Sequence, residues 1–390
     1  MSAPTRVTYA RGFVRKVFFR PFWDASVTDI FTVRDAIARS AEWLATRGID
    51  TPRLDAELLL AHTLDCKRLD LFMAPDRPLD AEETDAYRAL IQRRATHEPI
   101  AYILGEVGFW KHDFLIDPRA LIPRPETEGI LDVVLNAAGK QRDAPLRIID
   151  IGTGSGVLAI SLALEFPNAH VVAIDVSTDA LGLTRENAER HGVQDRVHPV
   201  RSDLLERLIA RGSKADIIVS NPPYVGENER EIMGQGVEQY EPYQALFSGP
   251  EGLDVIDRLL PQIPQTLDVG GLFVMEFGST QGDALRARAE RMFRSWRIQK
   301  DYSQHDRLLI VDAPGERTWS LLPATTPDDE PTSEETASID DENEQHITLE
   351  DPPFDETRAR LDAMRYGGAD GAQPLPEIDL HADFAPDDES

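Results

Sequence analysis

Apolar residues recur at helical spacing through residues 30–104 of the chain. One apolar stripe begins at Val33, a second helix begins at Pro52, and Asp80 followed three residues later by an acid is typical of a third helix start. Proline at a first helical position costs little, because the amide hydrogen there has no partner within the helix. The spacing therefore predicts a small helical bundle over residues 30–104.

The pattern changes between residues 105 and 145, where apolar residues no longer keep a helical period. Phe109, Trp110 and Phe114 lie in a stretch typical of two short strands. We predict a hairpin and a linker that join the helical bundle to the segment that follows.

From residue 146 to residue 314, short apolar runs alternate with helical stretches. The runs lie at residues 146–151, 171–175, 217–220, 272–277 and 308–311. Such alternation predicts an α/β domain with a doubly wound, largely parallel sheet.

Length and cysteine content exclude several classes of protein. With 390 residues, 41% of them apolar, the chain is long enough for two or three packed domains. A single cysteine, Cys66, excludes a disulfide framework and a cysteine-ligated metal cluster. No run reaches the roughly 18 apolar residues of a membrane span, so none is expected. The histidines show no metal-ligand spacing, and no metal site is predicted.

The net charge of −28 is unevenly distributed along the chain. Residues 316–390 hold 22 acidic and four basic residues, which leaves a net charge of −10 for the first 315 residues. Because this segment is also rich in Pro, Ser and Thr and poor in apolar residues, we predict an acidic disordered tail over residues 315–390. The tail is either a solvated extension or a partner-binding segment.

Residues 1–29 are basic and aromatic, with no acid before Asp24. Such a segment fits either a loosely ordered extension or a contact with a membrane surface or a partner. It lacks the apolar core of roughly 7–15 residues that a secretory signal needs, so we expect a cytoplasmic protein.

The first motif with chemical meaning is Asp-Ile-Gly-Thr-Gly-Ser-Gly at residues 150–156, which follows a predicted strand and opens a helix. Glycines there let the chain turn tightly and let a ligand approach backbone donors at the helix start. A dinucleotide-binding fingerprint would need a third glycine at position 157, which is Val157. The spacing suits the amino-acid end of S-adenosylmethionine, and a structural tight turn is the alternative.

Two acidic residues follow the next predicted strands. Asp175 ends the second strand 19 residues after Gly156, close to the spacing at which an acid holds ribose hydroxyls in such folds. Its alternative role is a helix cap, because Ser177 follows. Asp203, after the third strand, fits either a place beside an adenine or a structural role.

The second motif is Asn221-Pro222-Pro223-Tyr224, directly after the strand that ends at Ser220. Two prolines fix φ and remove two donors, so the turn is rigid and rich in acceptors. The Asn221 side-chain oxygen and the Pro222 carbonyl can together hold both hydrogens of one planar NH₂ group. Tyr224 supplies a face on which a planar amide or base can stack. A purely structural turn is the alternative.

With these motifs, the sequence resembles the HemK/PrmC family of peptide chain release factor N5-glutamine methyltransferases over residues 33–311. The most specific mark is Ile-Pro-Arg-Pro-Glu-Thr-Glu at residues 122–128, whereas Asn-Pro-Pro-Tyr alone is shared with DNA adenine methyltransferases. Further marks are Pro-Arg-Leu-Asp-Ala-Glu-Leu-Leu at 52–59, Pro-Ile-Ala-Tyr-Ile-Leu-Gly at 99–105 and Gly-Pro-Glu-Gly-Leu at 249–253.

The resemblance implies a Rossmann-like, seven-stranded class I methyltransferase domain preceded by a helical substrate-recognition domain. It also implies methyl transfer from S-adenosylmethionine to the N5 amide of the glutamine in the Gly-Gly-Gln motif of class I release factors. The residues expected to hold substrate are Asn221, Pro222, Pro223 and Tyr224, with Asn221, Pro222 and Tyr224 catalytic. Those expected to hold cofactor are Gly152, Thr153, Gly154, Ser155, Gly156, Asp175, Asp203, Leu204 and Asn221.

Three other functions stay open at this point. An N6-adenine nucleic-acid methyltransferase uses the same acceptor pair on an exocyclic amine but needs a basic groove, and a net charge of −10 in the first 315 residues argues against direct nucleic-acid binding. A ribosomal-protein glutamine methyltransferase would carry serine after the arginine of the 122–128 segment. A non-enzymatic cofactor-binding scaffold has no need of an amide-holding turn.

Arg124 and Glu128 of the same segment allow two interpretations. They form an ion pair that fixes the linker, or they border the cofactor pocket.

Overall fold

The structure is a computed structural model, and it describes residues 31–139, 142–232, 234 and 236–315. The predicted basic extension at residues 1–29 lies outside the described residues. So does the predicted acidic tail beyond residue 315.

The first part of the described chain is a helical bundle. Its helices are α1 (Val33–Thr46), α2 (Pro52–Thr63), α3 (Arg68–Met73), α4 (Ala81–Arg94) and α5 (Ile100–Leu104). The three long helices coincide with the three predicted ones. The short helices α3 and α5 were not predicted, since six or five residues are too few to show a period.

Capping and burial explain where these helices begin and why they pack. Thr32 accepts from the backbone amide of Asp35 at the start of α1, and Asp80 accepts from that of Glu83 at the start of α4. In the core between the helices, Tyr87 is fully buried and its hydroxyl donates to a backbone carbonyl of α2 over 3.1 Å.

A hairpin and one further helix connect the bundle to the sheet. The hairpin pairs β1 (Glu106–Phe109) with β2 (His112–Leu115) in antiparallel register, as predicted. The linker then makes a 3₁₀ turn over Pro125–Thr127 and continues as α6 (Glu128–Ala138), an apolar helix that was not predicted from the sequence.

The rest is one seven-stranded sheet with helices on both faces, which confirms the predicted fold class. Its strands are β3 (Arg147–Ile151), β4 (His170–Asp175), β5 (Val197–Arg201), β6 (Ala215–Ser220), β7 (Leu267–Glu276), β8 (Trp296–Lys300) and β9 (Asp306–Asp312). Its helices are α7 (Val157–Glu165), α8 (Thr178–Arg190), α9 (Glu206–Ile209), α10 (Val237–Tyr240), α11 (Tyr243–Leu246), α12 (Asp254–Leu259), α13 (Ile263–Thr266) and α14 (Gly282–Met292).

Strand order positions the site. The order is β5-β4-β3-β6-β7-β9-β8, parallel from β5 through β7, with β9 antiparallel to both of its neighbours. The chain moves outward from β3 to β5 and then returns to β6 on the other side of β3, so the order reverses between β3 and β6. Ile151 and Ser220, the last residues of these strands, are paired in register. Such a switch point is where ligands bind in open α/β sheets, at the carboxyl ends of the strands.

Each face of the sheet is covered by an apolar layer. One buried cluster lies between the sheet and α6 to α8, and the other lies between the sheet and α9, α12, α13 and α14. Among the helices that the structure describes, none combines the length and the apolar character needed to cross a membrane.

Candidate active site

A cavity of about 840 Å³ opens at the switch point, at the carboxyl ends of β3 to β6. Its lining brings together most of the predicted site residues, which come from loops far apart in the chain. These are Gly152, Thr153, Gly154, Ser155, Asp175, Asp203, Leu204, Asn221 and Pro223.

Three predicted site residues do not line this cavity. Gly156 begins α7 with a φ of 85°, and a Cβ there would lie 2.8 Å from the Thr184 side chain, so this glycine lets α7 approach α8. Pro222 lies within the rigid turn. The Tyr224 side chain packs against the buried cluster that lies between the sheet and helices α9, α12, α13 and α14.

The glycine-rich loop is tied to the neighbouring strand by its backbone. The amides of Gly152 and Thr153 both donate to the carbonyl of Ile174, over 2.8 and 2.9 Å. A side chain built on Gly152 would meet only the Asn221 carbonyl, at 3.8 Å, so the space beside this glycine is open to a ligand.

The buried side chain of Asp150 supports the glycine-rich loop. Asp150 accepts from the Thr153 hydroxyl over 2.6 Å and from the Ala159 amide over 3.2 Å. Burial raises the pKa of Asp150 to about 7, since an apolar environment disfavours the charged form. The loop is thus held from β3, from β4 and from α7.

Asp175 lies at the end of β4 with its carboxylate against the loop. One oxygen accepts from the Gly154 amide over 3.0 Å, and the other accepts from the Ser177 amide over 2.9 Å. Burial raises the pKa of Asp175. The helix cap of α8 is Ser177, whose hydroxyl accepts from the Ala180 amide. Ser177 therefore fills the helix-cap role, and Asp175 lines the cavity.

Asp203 forms an ion pair with Arg258 over 2.5 Å, and both residues line the cavity. Arg258 lies on α12, 55 residues further along the chain. No local pattern in the sequence pointed to Arg258.

Asn221 is held by a chain of hydrogen bonds that reaches the end of β7. Its Nδ2 donates to Thr127 Oγ1 over 3.0 Å, and the Thr127 hydroxyl donates to Glu276 Oε2 over 2.7 Å. The Tyr224 hydroxyl donates to the other oxygen of Glu276 over 2.8 Å. Burial raises the pKa of Glu276, and burial beside Glu276 raises the pKa of the Tyr224 phenol.

Neither Thr127 nor Glu276 was predicted as a site residue, although both left a signal. Thr127 belongs to the specific 122–128 segment, and Glu276 is an acid at the carboxyl end of an apolar strand.

The predicted pair of Arg124 and Glu128 is not formed. Arg124 donates to Glu241 over 2.8 Å, and the buried Glu241 carboxylate also accepts from the Ile122 amide over 3.3 Å. Glu128 accepts from the Trp110 amide over 2.7 Å and so fixes the hairpin turn. Neither of the two borders the cavity. Each therefore fixes a different segment: Arg124 is paired with Glu241, and Glu128, at the start of α6, holds the hairpin turn.

Two stretches of the chain match known protein families. Residues 35–105 match the family described as the PrmC N-terminal domain, and residues 133–239 match the methyltransferase small domain. The seven-stranded sheet, the glycine-rich loop at its switch point and these matches define an S-adenosylmethionine-dependent methyltransferase.

Curated relatives specify the family. The release factor glutamine methyltransferase of Chlorobaculum tepidum is 38% identical over 283 residues, which is 71% of this chain and 96% of the relative. That of Koribacter versatilis is 42% identical over 265 residues, 68% of this chain and 91% of the relative. That of Nitratidesulfovibrio vulgaris is 35% identical, over 72% of this chain and 95% of the relative. This chain belongs to the release factor glutamine methyltransferase family, which confirms the resemblance seen in the sequence.

Proposed function

We propose that the enzyme methylates the N5 amide nitrogen of the glutamine in the Gly-Gly-Gln motif of class I peptide chain release factors, in the cytoplasm. The observation that carries this proposal is the Asn221 carboxamide at the cavity edge, held through its Nδ2 so that its oxygen is left to accept. Membership of the family supports release factors as the substrate class.

The cavity fits S-adenosylmethionine. Its glycine loop leaves room for a close approach of ligand to backbone, and Asp175 presents a carboxylate at the edge of the same space. When bound, the cofactor would supply an electrophilic methyl group on a sulfonium; the bond between sulfur and the methyl carbon would break as the carbon–nitrogen bond forms, and the neutral thioether S-adenosylhomocysteine would leave. We assign the loop of residues 152–156 to the methionine portion, Asp175 to the ribose, and Asp203 with Leu204 to the adenine side.

Asn221 and its turn orient the acceptor. An amide nitrogen is a poor nucleophile because its lone pair is delocalised into the carbonyl, so positioning and electrostatics supply most of the acceleration. The Asn221 Oδ1 and the Pro222 carbonyl each accept one hydrogen of the substrate NH₂ group. Both acceptors also stabilise the positive charge that develops on nitrogen. Pro223 and Tyr224 fix the turn that carries them.

Proton transfer needs no dedicated residue in this scheme. The nitrogen becomes strongly acidic once it is methylated, and its proton passes to water. For this reason we assign no general base.

Mass spectrometry of a purified release factor after incubation with enzyme and S-adenosylmethionine tests the proposal. We expect one added methyl group on the Gly-Gly-Gln glutamine and none on a release factor variant with glutamate at that position, which lacks the amide nitrogen. Parallel reactions with an adenine-containing oligonucleotide and with ribosomal proteins test the other substrate classes. Methylation of either, with none on the release factor, would overturn the proposal.

A further inference from the structure

The hydrogen bonds behind Asn221 run through two side chains that are shielded from solvent. Thr127 is 2% exposed and Glu276 is 0% exposed. They come from different elements, the 3₁₀ turn before α6 and the end of β7, and they lie 94 residues before and 55 residues after Asn221. Water therefore has little access to the Thr127 hydroxyl and the Glu276 carboxyl group, which lie behind the Asn221 carboxamide.

The direction of each hydrogen bond in the series from Asn221 through Thr127 to Glu276 is set by Glu276. Both oxygens of Glu276 act as acceptors, because one receives a hydrogen from Thr127 and the other receives one from Tyr224. A threonine hydroxyl carries a single hydrogen, so a hydroxyl that donates to Glu276 can offer Asn221 only a lone pair. The NH₂ end of the carboxamide uses that lone pair, which leaves the oxygen end for the cavity.

This polarity matters because the two ends of a carboxamide have nearly the same size. Packing alone distinguishes them poorly, whereas their hydrogen-bonding roles are opposite. If Asn221 were turned over, its NH₂ group would face the NH₂ group of the substrate amide, donor against donor. It would also oppose the positive charge that develops there.

We propose that Thr127 and Glu276 are positioning residues that fix the Asn221 carboxamide with its oxygen toward the substrate amide. This inference rests on the proposed function. Glu276 acts through Thr127, and Thr127 acts through Asn221.

The backbone of the Asn-Pro-Pro-Tyr turn has a separate anchor. The Gln281 Nε2 donates to the Tyr224 carbonyl over 2.9 Å and to the Glu251 carbonyl over 3.0 Å. The turn is thus held in place without Glu276, so the buried carboxylate is available for orienting side chains.

A set of conservative variants tests this assignment. Thr127→Val keeps the shape and removes the hydroxyl, Thr127→Ser keeps the hydroxyl, and Glu276→Gln keeps the shape and adds a donor. The matched control is Thr266→Val, because the Thr266 hydroxyl is also buried but has no hydrogen-bond partner among the described residues. For each protein we would measure kcat on the release factor, the Kd of S-adenosylmethionine and Tm.

We expect Thr127→Val to lower kcat by roughly 5–150-fold, because the productive orientation then points an NH₂ group at a methyl group with no acceptor. The Kd of S-adenosylmethionine should change by less than about twofold, since the glycine loop and Asp175 are intact. Thr127→Ser should restore kcat to within about threefold of the wild type, and Thr266→Val should leave it unchanged.

Glu276→Gln provides the sharper test, and it also serves if Thr127→Val does not fold. Among the described residues the Tyr224 hydroxyl has Glu276 as its acceptor, so the glutamine oxygen at this position accepts from Tyr224 and the glutamine NH₂ donates to Thr127. The Thr127 hydroxyl then turns its hydrogen to Asn221, and the carboxamide inverts. We expect kcat to fall at least as far as in Thr127→Val. Because Glu276 acts through Thr127, the double variant should be within about twofold of Thr127→Val alone.

Three outcomes would overturn the inference: wild-type kcat in folded Thr127→Val or Glu276→Gln, a serine variant as impaired as the valine variant, or additive losses in the double variant. A wild-type enzyme that binds S-adenosylmethionine and leaves the release factor unmethylated would instead contradict the proposed function, before any variant is compared.

Discussion

Replacing Asp175 with alanine is expected to weaken the binding of S-adenosylmethionine by roughly 10–150-fold. A carboxylate offers about four acceptor positions, and Asp175 uses two of them for the backbone amides of Gly154 and Ser177. The acceptor capacity that remains suits the hydroxyls of a ribose. Loss of this charge-assisted pair costs about 1.5–3 kcal/mol, which corresponds to the stated range. Loss of the Gly154 anchor acts in the same direction, because the loop is then less well ordered before binding.

Calorimetric titration of wild type, Asp175→Ala and Asp175→Asn measures the effect. The asparagine variant keeps one acceptor and should lie between the other two. Thr32→Ala is a suitable control, since it removes the cap of α1 and about 1 kcal/mol of stability without touching the cavity. It should lower Tm and leave the Kd unchanged. If folded Asp175→Ala bound the cofactor within about twofold of the wild-type Kd, the ribose assignment would be wrong.

Further predictions concern turnover, stability and the tail. Asn221→Ala should lower kcat by about 10²–10³-fold with little change in cofactor Kd, and retention of more than about a tenth of wild-type turnover would refute its role. Arg124→Ala should lower the free energy of unfolding by about 1–3 kcal/mol in urea titrations, because the buried Glu241 loses its charged partner. Adding Glu241→Gln to this variant should recover part of the lost free energy. Since burial raises the pKa of Asp150 to about 7 from an unfolded value of about 3.9, the folded cofactor-free protein holds a proton that the unfolded chain releases, and stability should fall as pH rises between these values. Urea titrations across that pH range should show a smaller decline in Asp150→Asn, and an equal decline would contradict the assignment. Deletion of residues 318–390 should leave methyl transfer nearly intact at high salt, and initial rates compared across a salt series would show whether the acidic segment speeds encounter at low salt.

Much of the fold could be predicted from local pattern. The capped helix starts at Thr32 and Asp80, the hairpin and the strand–helix alternation depend on neighbouring residues, and their spacing is visible in the sequence. Helix α6 was not singled out, because an apolar stretch inside a linker gives no clear boundary before its packing partner is known. Sheet order is a different matter, since alternation predicts a parallel sheet without stating which strands are neighbours.

The amino-acid sequence by itself determined the two motifs of the site. The glycines at residues 152–156 and the prolines after Asn221 set backbone conformation within a few residues, so their chemistry is local and can be inferred without tertiary structure. It also placed Asp175 at the end of a strand, where the general rule for α/β sheets expects a ligand.

Only the tertiary structure decided which side chains support those motifs. Thr127 reaches Glu276 across 149 residues, and Arg124 pairs with Glu241 across 117 residues in preference to Glu128, four residues away. Which residues become partners depends on the order of the strands in the sheet and on the packing of the linker against the sheet. The physical reason is that a hydrogen bond or ion pair depends on distance in space, and sequence spacing specifies that distance only within a helix, a strand or a turn.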